Sequence, residues 1–97
     1  MSDVSEEALR RAEQAQYILE HPLVIAAFAD LEADFVTAWR GSPVLDREAR
    51  EEAYRMLRVL DAVRRAFMVH VDTGKVVRDN LDAAERAKAV AAISPAV

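Results

Sequence analysis

The stretch "DREAREEAYRMLRVLDAVRRAFMVHV", residues 46 to 71, decides the fold class. Within it Ala53, Met56, Leu60, Val63, Phe67 and His70 recur at steps of 3, 4, 3, 4 and 3, and Leu57, Val59 and Val71 broaden the same side. Such spacing keeps apolar side chains on one stripe of a helix, whereas a half-buried strand needs strict alternation. Asp46 is the expected N-cap and Gly74 the expected stop, so a long amphipathic helix is predicted over 46–72. Glu51 with Arg55, and Asp61 with Arg65, stand four apart in the favourable acid-first order.

Upstream, "PLVIAAFADLEADFVTAWRG" (22–41) carries a second seam, in which Val24, Phe28, Leu31, Phe35 and Ala38 recur at steps of 4, 3, 4 and 3. Pro22 suits the first turn of this helix, and Gly41 sits where a C′ residue with positive φ would end it. "GSPVLD" is then a short connector, and a short connector between two helices makes them antiparallel neighbours. The expected core is therefore a helical hairpin, residues 22–40 against 46–72, seam on seam. Leu23, Ile25, Val36 and Trp39 exceed what such a seam can bury, and with Tyr54 they are candidate contacts to a first helix or to another subunit.

The flanking segments are weaker. Residues 5–20 form a first helix with Asp3 as the expected N-cap and Glu6 three residues later, but its apolar side is mostly Ala8, Ala12 and Ala15 beside Ile18 and Leu19. So little area predicts late docking or fraying. Beyond Gly74, Asp79 or Asn80 is the expected cap of a short last helix that Pro95 ends, in a tail (75–97) expected to be mobile or ordered by a neighbouring chain. The prediction as a whole is one all-α domain.

Composition agrees. Of 97 residues, 53% are hydrophobic, while Gly is 2 and Pro 3, so helix breakers are scarce. A chain this short gains stability readily by oligomerising, and a homo-oligomer is expected. With Cys at 0 there is no thiolate metal site and no disulfide framework. The start has no signal-peptide pattern, and no run approaches the roughly 18 apolar residues of a membrane span, so a cytoplasmic protein with no membrane partner is expected. The net charge of −4 is distributed as an acidic front (−3 over residues 1–21) and a slightly basic end (+1 over 73–97), which predicts weak, assembly-dependent binding to DNA at most.

No catalytic constellation is present. His21 and His70 lie in neither an H-x-x-x-H nor an E-x-x-H arrangement, and there is no phosphate loop and no G-x-S-x-G. Asp30 and Asp34 share a helical face with no His or metal ligand near them, which reads as a solvated surface. A non-enzyme without metal or cofactor is expected. The polar set of most interest is Arg47, Arg58 and Arg65, close in angle around the third helix, with Arg50 nearby.

The segment from residue 18 to 75 resembles short helical proteins encoded by tailed phages, prophages and gene transfer agents near their packaging and head genes. The resemblance is carried by "HPL" (His21 to Leu23), "AF" (Ala27 and Phe28), "AW" (Ala38 and Trp39), the connector from Ser42 to Glu48, the run from Tyr54 to Arg64, and "TGK" (Thr73 to Lys75). It implies a small terminase subunit: an oligomer of helical hairpins that positions DNA and regulates a large terminase subunit. The chain departs from that pattern in having no separate helix-turn-helix, since residues 1–20 are acidic and short. Candidate DNA contacts are therefore Arg47, Arg58 and Arg65 with the tail residues Lys75, Arg78, Arg86 and Lys88. The alternatives are a virion or head-assembly adaptor, and a phage-encoded inhibitor whose acidic first helix docks on a host protein.

Overall fold

In a computed structural model, which describes residues 2–93, the chain is all-α. It has three helices, α1 (Asp3–Glu20), α2 (Pro22–Gly41) and α3 (Arg47–Ile93), and no strand among the described residues. α3 is the spine. Ala8 and Ala12 of α1 lie against Gly74, and Ile18 lies near Phe67, so α1 runs antiparallel to α3. α2 does the same on the other half, with Val24 and Phe28 near Met68 and Arg64, and Trp39 near Arg50 and Tyr54. α1 and α2 thus form a bent rod of two helices, residues 3–41, laid back along α3. The expected hairpin exists, extended by α1.

Each helix boundary has a local cause. Ser2 accepts a hydrogen bond from the Ser5 N–H at 3.1 Å and is the N-cap of α1, so Asp3 is its first helical residue rather than its cap. His21 breaks α1 from α2: its φ and ψ are extended, as the residue before a proline prefers, and its Nδ1 accepts from the Leu23 N–H at 3.1 Å. Tyr17 packs edge-on against the His21 ring, centroids 5.9 Å apart. At the α2–α3 turn, Asp46 accepts from the Ala49 N–H at 3.0 Å, the cap expected of it. Arg50 donates to the carbonyls of Pro43 and Val44 at 2.6 and 2.7 Å, and Ser42 donates its hydroxyl to the Trp39 carbonyl at 2.6 Å. Gly41 has no positive φ; it ends α2 as a helical residue, and Ser42 is the cap.

The largest departure is at Gly74. Instead of stopping a helix it lies buried inside α3, which runs on without a break through Asp79 and Asn80 to Ile93. A Cβ built on Gly74 would overlap the Ala12 methyl and come within 3.7 Å of the Ala8 carbonyl. At Gly74 α1 and α3 approach too closely for a side chain between them, and the ~1 kcal/mol that a mid-helix glycine costs is offset by that approach. There is accordingly no separate last helix in the described residues, and Pro95 lies outside them.

The core is correspondingly displaced. Buried apolar side chains are Ala12 and Ala15 on α1 and Ala53 and Leu60 on α3, while α2 has none. The alanine side of α1, expected to dock poorly, makes the tightest contact, because small residues let two helix axes come close. Leu31, Ala38 and Val63, predicted to be seam residues, are exposed. At the last of these Arg64 takes the inward place, with its guanidinium 5.0 Å from the Phe28 ring centroid. The charged pairs also differ from expectation: Arg47 bonds Glu51 at 3.0 Å, Arg55 pairs with Glu52 at 3.3 Å and Arg64 with Asp61 at 3.5 Å.

Candidate functional site

The molecule is long and thin, 79 × 25 × 20 Å, with a radius of gyration of 21.8 Å. A globular chain of this length has about 13 Å. Its accessible surface is 7767 Å², against about 5,500 Å² for a compact monomer of this mass. What the chain offers is surface, and the candidate site is sought there.

One part of that surface is apolar. Leu23 is 71% exposed, Ile25 54%, Trp39 47% and Tyr54 56%, while Val36 is half-buried against α3. Val24, Phe28, Phe35 and Val36 are half-buried in the α2–α3 seam and leave Leu23, Ile25 and Trp39 outside it, so Val36 is not part of the open surplus. Ile25 shares a shallow cleft with Leu19, Phe28, Arg64 and Met68, so α1 covers only one end of the surplus. Trp39 and Tyr54 line a cleft at the other end, beside Arg47, Arg50 and Glu51. An aromatic pair with an adjacent arginine is the composition of an interface anchor.

The basic residues are less well placed. Arg47 is tied to Glu51, and Arg50 is spent on the connector carbonyls. Arg58 and Arg65 are exposed along one line of α3, but Asp72 and Asp79 follow at the same seven-residue spacing and break the positive field. Lys75, Arg78, Arg86 and Lys88 are exposed too. Lys75, Arg78 and Arg86 fall within about 80° of one another around α3, with Lys88 on another side, and Asp79, Asp82 and Glu85 are interleaved with them on that same face. The structure thus does not gather the seven candidate DNA contacts into one patch.

The histidines serve the fold. His21 caps α2, and His70 is half-buried where Arg11, Ala15 and Ile18 of α1 meet Phe67. Among the described residues no three His, Asp, Glu or Cys side chains form a metal-binding group. Asp30 and Asp34 are exposed on α2. None of the described helices is long and apolar enough to cross a membrane. In α1, Glu7 pairs with both Arg10 and Arg11, which neutralises part of the acidic front. Comparison with protein-family models, with curated proteins and with solved structures finds no match for the chain.

Arg64 is the structural residue that periodicity alone misplaces, whereas Gly74 is misplaced by reading a glycine as a helix stop. The inward heptad runs Ala53, Leu60, Phe67, Gly74, Leu81, and following it past residue 72 is the signal that finds the continuous α3.

Proposed function

We propose that this chain is a non-enzymatic assembly protein of phage-type DNA packaging: a small-terminase-like homo-oligomer, acting in the cytoplasm of the producing cell, that positions DNA and regulates a large terminase. The observation that carries the oligomer is the apolar surplus on α2 and at the hairpin end, Leu23, Ile25, Trp39 and Tyr54, left open on a chain whose surface exceeds that of a compact monomer. The packaging role rests on the resemblance of residues 18–75. In this reading DNA contact falls to Lys75, Arg78, Arg86 and Lys88 on the projecting end of α3, each too isolated to matter alone but multiplied by the number of subunits.

The interruption of the Arg58–Arg65 line by Asp72 and Asp79 favours a second reading, a head-assembly adaptor that uses the same oligomer without holding DNA. Native mass and DNA retention separate the two. A closed oligomer that retains duplex DNA at low salt, releases it near about 0.2 M salt, and alters the ATPase of a large terminase supports the packaging reading. An oligomer with neither property supports the adaptor, and a monomer at tens of micromolar overturns both.

A further inference from the structure

Away from α1 and α2, α3 carries a second heptad. Val59, Ala62, Ala66, Val69, Thr73 and Val76 recur at steps of 3, 4, 3, 4 and 3, and all six are exposed. The same spacing continues through Asn80, Ala83, Ala87 and Val90, also exposed. This line lies roughly 140° around the helix axis from the inward heptad, at 3.6 residues per turn. It therefore faces mainly away from α1 and α2; only at Thr73 does it border a cleft that α1 lines with Asp3, Val4, Glu7, Ala8 and Arg11. The one hydroxyl between Val59 and Val76 is already satisfied, since Thr73 donates to the Val69 carbonyl at 2.8 Å. Small and β-branched residues at strict a and d positions make a coiled-coil seam, and this one has no partner within the chain.

We propose that the seam pairs with the α3 of a second copy of this chain, antiparallel, about a two-fold axis between Phe67 and Met68. The charges beside the seam choose both the occupant and the direction. Arg58, Arg65, Asp72 and Asp79 occupy successive positions seven apart on one flank, exposed and in no intramolecular ion pair among the described residues. With Ala66 opposite the partner's Val69 and Val59 opposite the partner's Val76, Arg65 meets the partner's Asp72 and Arg58 meets the partner's Asp79. The two-fold axis repeats both pairs. A parallel pairing would instead set each flank residue against the position five further on, Arg58 on Val63, Arg65 on His70, Asp72 on Val77, and form no opposite-charge pair.

This deepens the oligomer part of the proposed function, and it stands whether or not the oligomer handles DNA. The contact is saturated by two chains, so any larger assembly uses the α2 surface for its second contact and holds an even number of subunits.

The chain has no cysteine, so single cysteines report the contact directly. Ala62→Cys and Thr73→Cys chains, unfolded and refolded together and then oxidised, are expected to give the mixed 62–73 disulfide, with neither variant cross-linking alone. Links of 62 to 62 and 73 to 73 would mean a parallel pair and overturn the proposal. A persistent oligomer with no link overturns this contact alone, whereas a monomeric mass at all concentrations overturns the oligomer as well. In parallel, Arg65→Glu and Asp72→Arg are each expected to weaken dimerisation about tenfold at low salt, with helicity by circular dichroism unchanged. The double variant Arg65→Glu/Asp72→Arg is expected to restore it. A double variant as weak as either single one overturns the charge pairing.

Discussion

Gly74 of α3 lies so close to Ala12 of α1 that a methyl group on the glycine would occupy the space of the alanine methyl. Both groups sit on helix backbones, so neither can rotate away. Relief requires α1 to move outward, and with it Ala15, the most buried side chain in the core.

Gly74→Ala therefore sets a gain of about 1 kcal/mol in helix propensity against an overpacking cost of about 1–3 kcal/mol. The expected outcome is a net loss of about 1 kcal/mol in stability, measured by urea denaturation followed by circular dichroism. Ala12→Gly/Gly74→Ala exchanges the two methyl positions and is expected to recover most of the loss. A stabilised Gly74→Ala would mean that α1 does not sit against α3 at this point.

Leu60 is the only large side chain among the buried apolar residues, at 7% exposure. Leu60→Ala is expected to cost about 2–3 kcal/mol, the low end for a buried leucine, because a two-layer helical packing can partly collapse onto the gap. Leu23→Ala, at a site 71% exposed, is expected to leave the unfolding of an isolated chain within about 0.5 kcal/mol of its original value. Comparing the two variants at low and high protein concentration distinguishes a core residue from an interface residue. Only an interface residue shows a loss that grows with concentration.

Asp46 supplies the side-chain cap of a 47-residue helix. Asp46→Ala is expected to lower stability by about 1 kcal/mol and Asp46→Asn by little, since asparagine caps equally well. Thermal unfolding of the two variants side by side checks this. Equal losses would show that the carboxylate charge, not the hydrogen bond to Ala49, supplies the stabilisation.

Much of this architecture is legible in the chain. The heptads in 22–41 and 46–71, Pro22 at a helix start and Asp46 at another are local signals, and each corresponds to a feature of the folded chain. Gly74 is the instructive miss. A glycine after an amphipathic run permits a stop but does not compel one, and whether it stops a helix depends on what approaches it. Here α1, some sixty residues earlier in sequence, crosses at that point. Val63 and Arg64 teach the same lesson. They lie about 100° apart around the helix, and it is the Arg64 guanidinium, not Val63, that lies over the Phe28 ring of α2.

The candidate site divides likewise. An excess of apolar residues on α2 follows from counting Leu23, Ile25, Val36 and Trp39 against a two-helix seam. That Arg50 is consumed by the Pro43 and Val44 carbonyls is visible only once the connector has folded, whereas the exposed Arg47–Glu51 pair is a local i,i+4 contact within α3.

Helical class, the hairpin and the surplus of apolar surface were determined by the sequence alone, because they arise from residue periodicity and caps that act within a few turns. Tertiary structure decided that α3 is one continuous helix, that α1 rather than α2 makes the tightest contact, and which faces remain open. Those outcomes depend on how closely two backbones distant in sequence can approach, a distance set by the small side chains of Ala12 and Gly74 meeting across the interface.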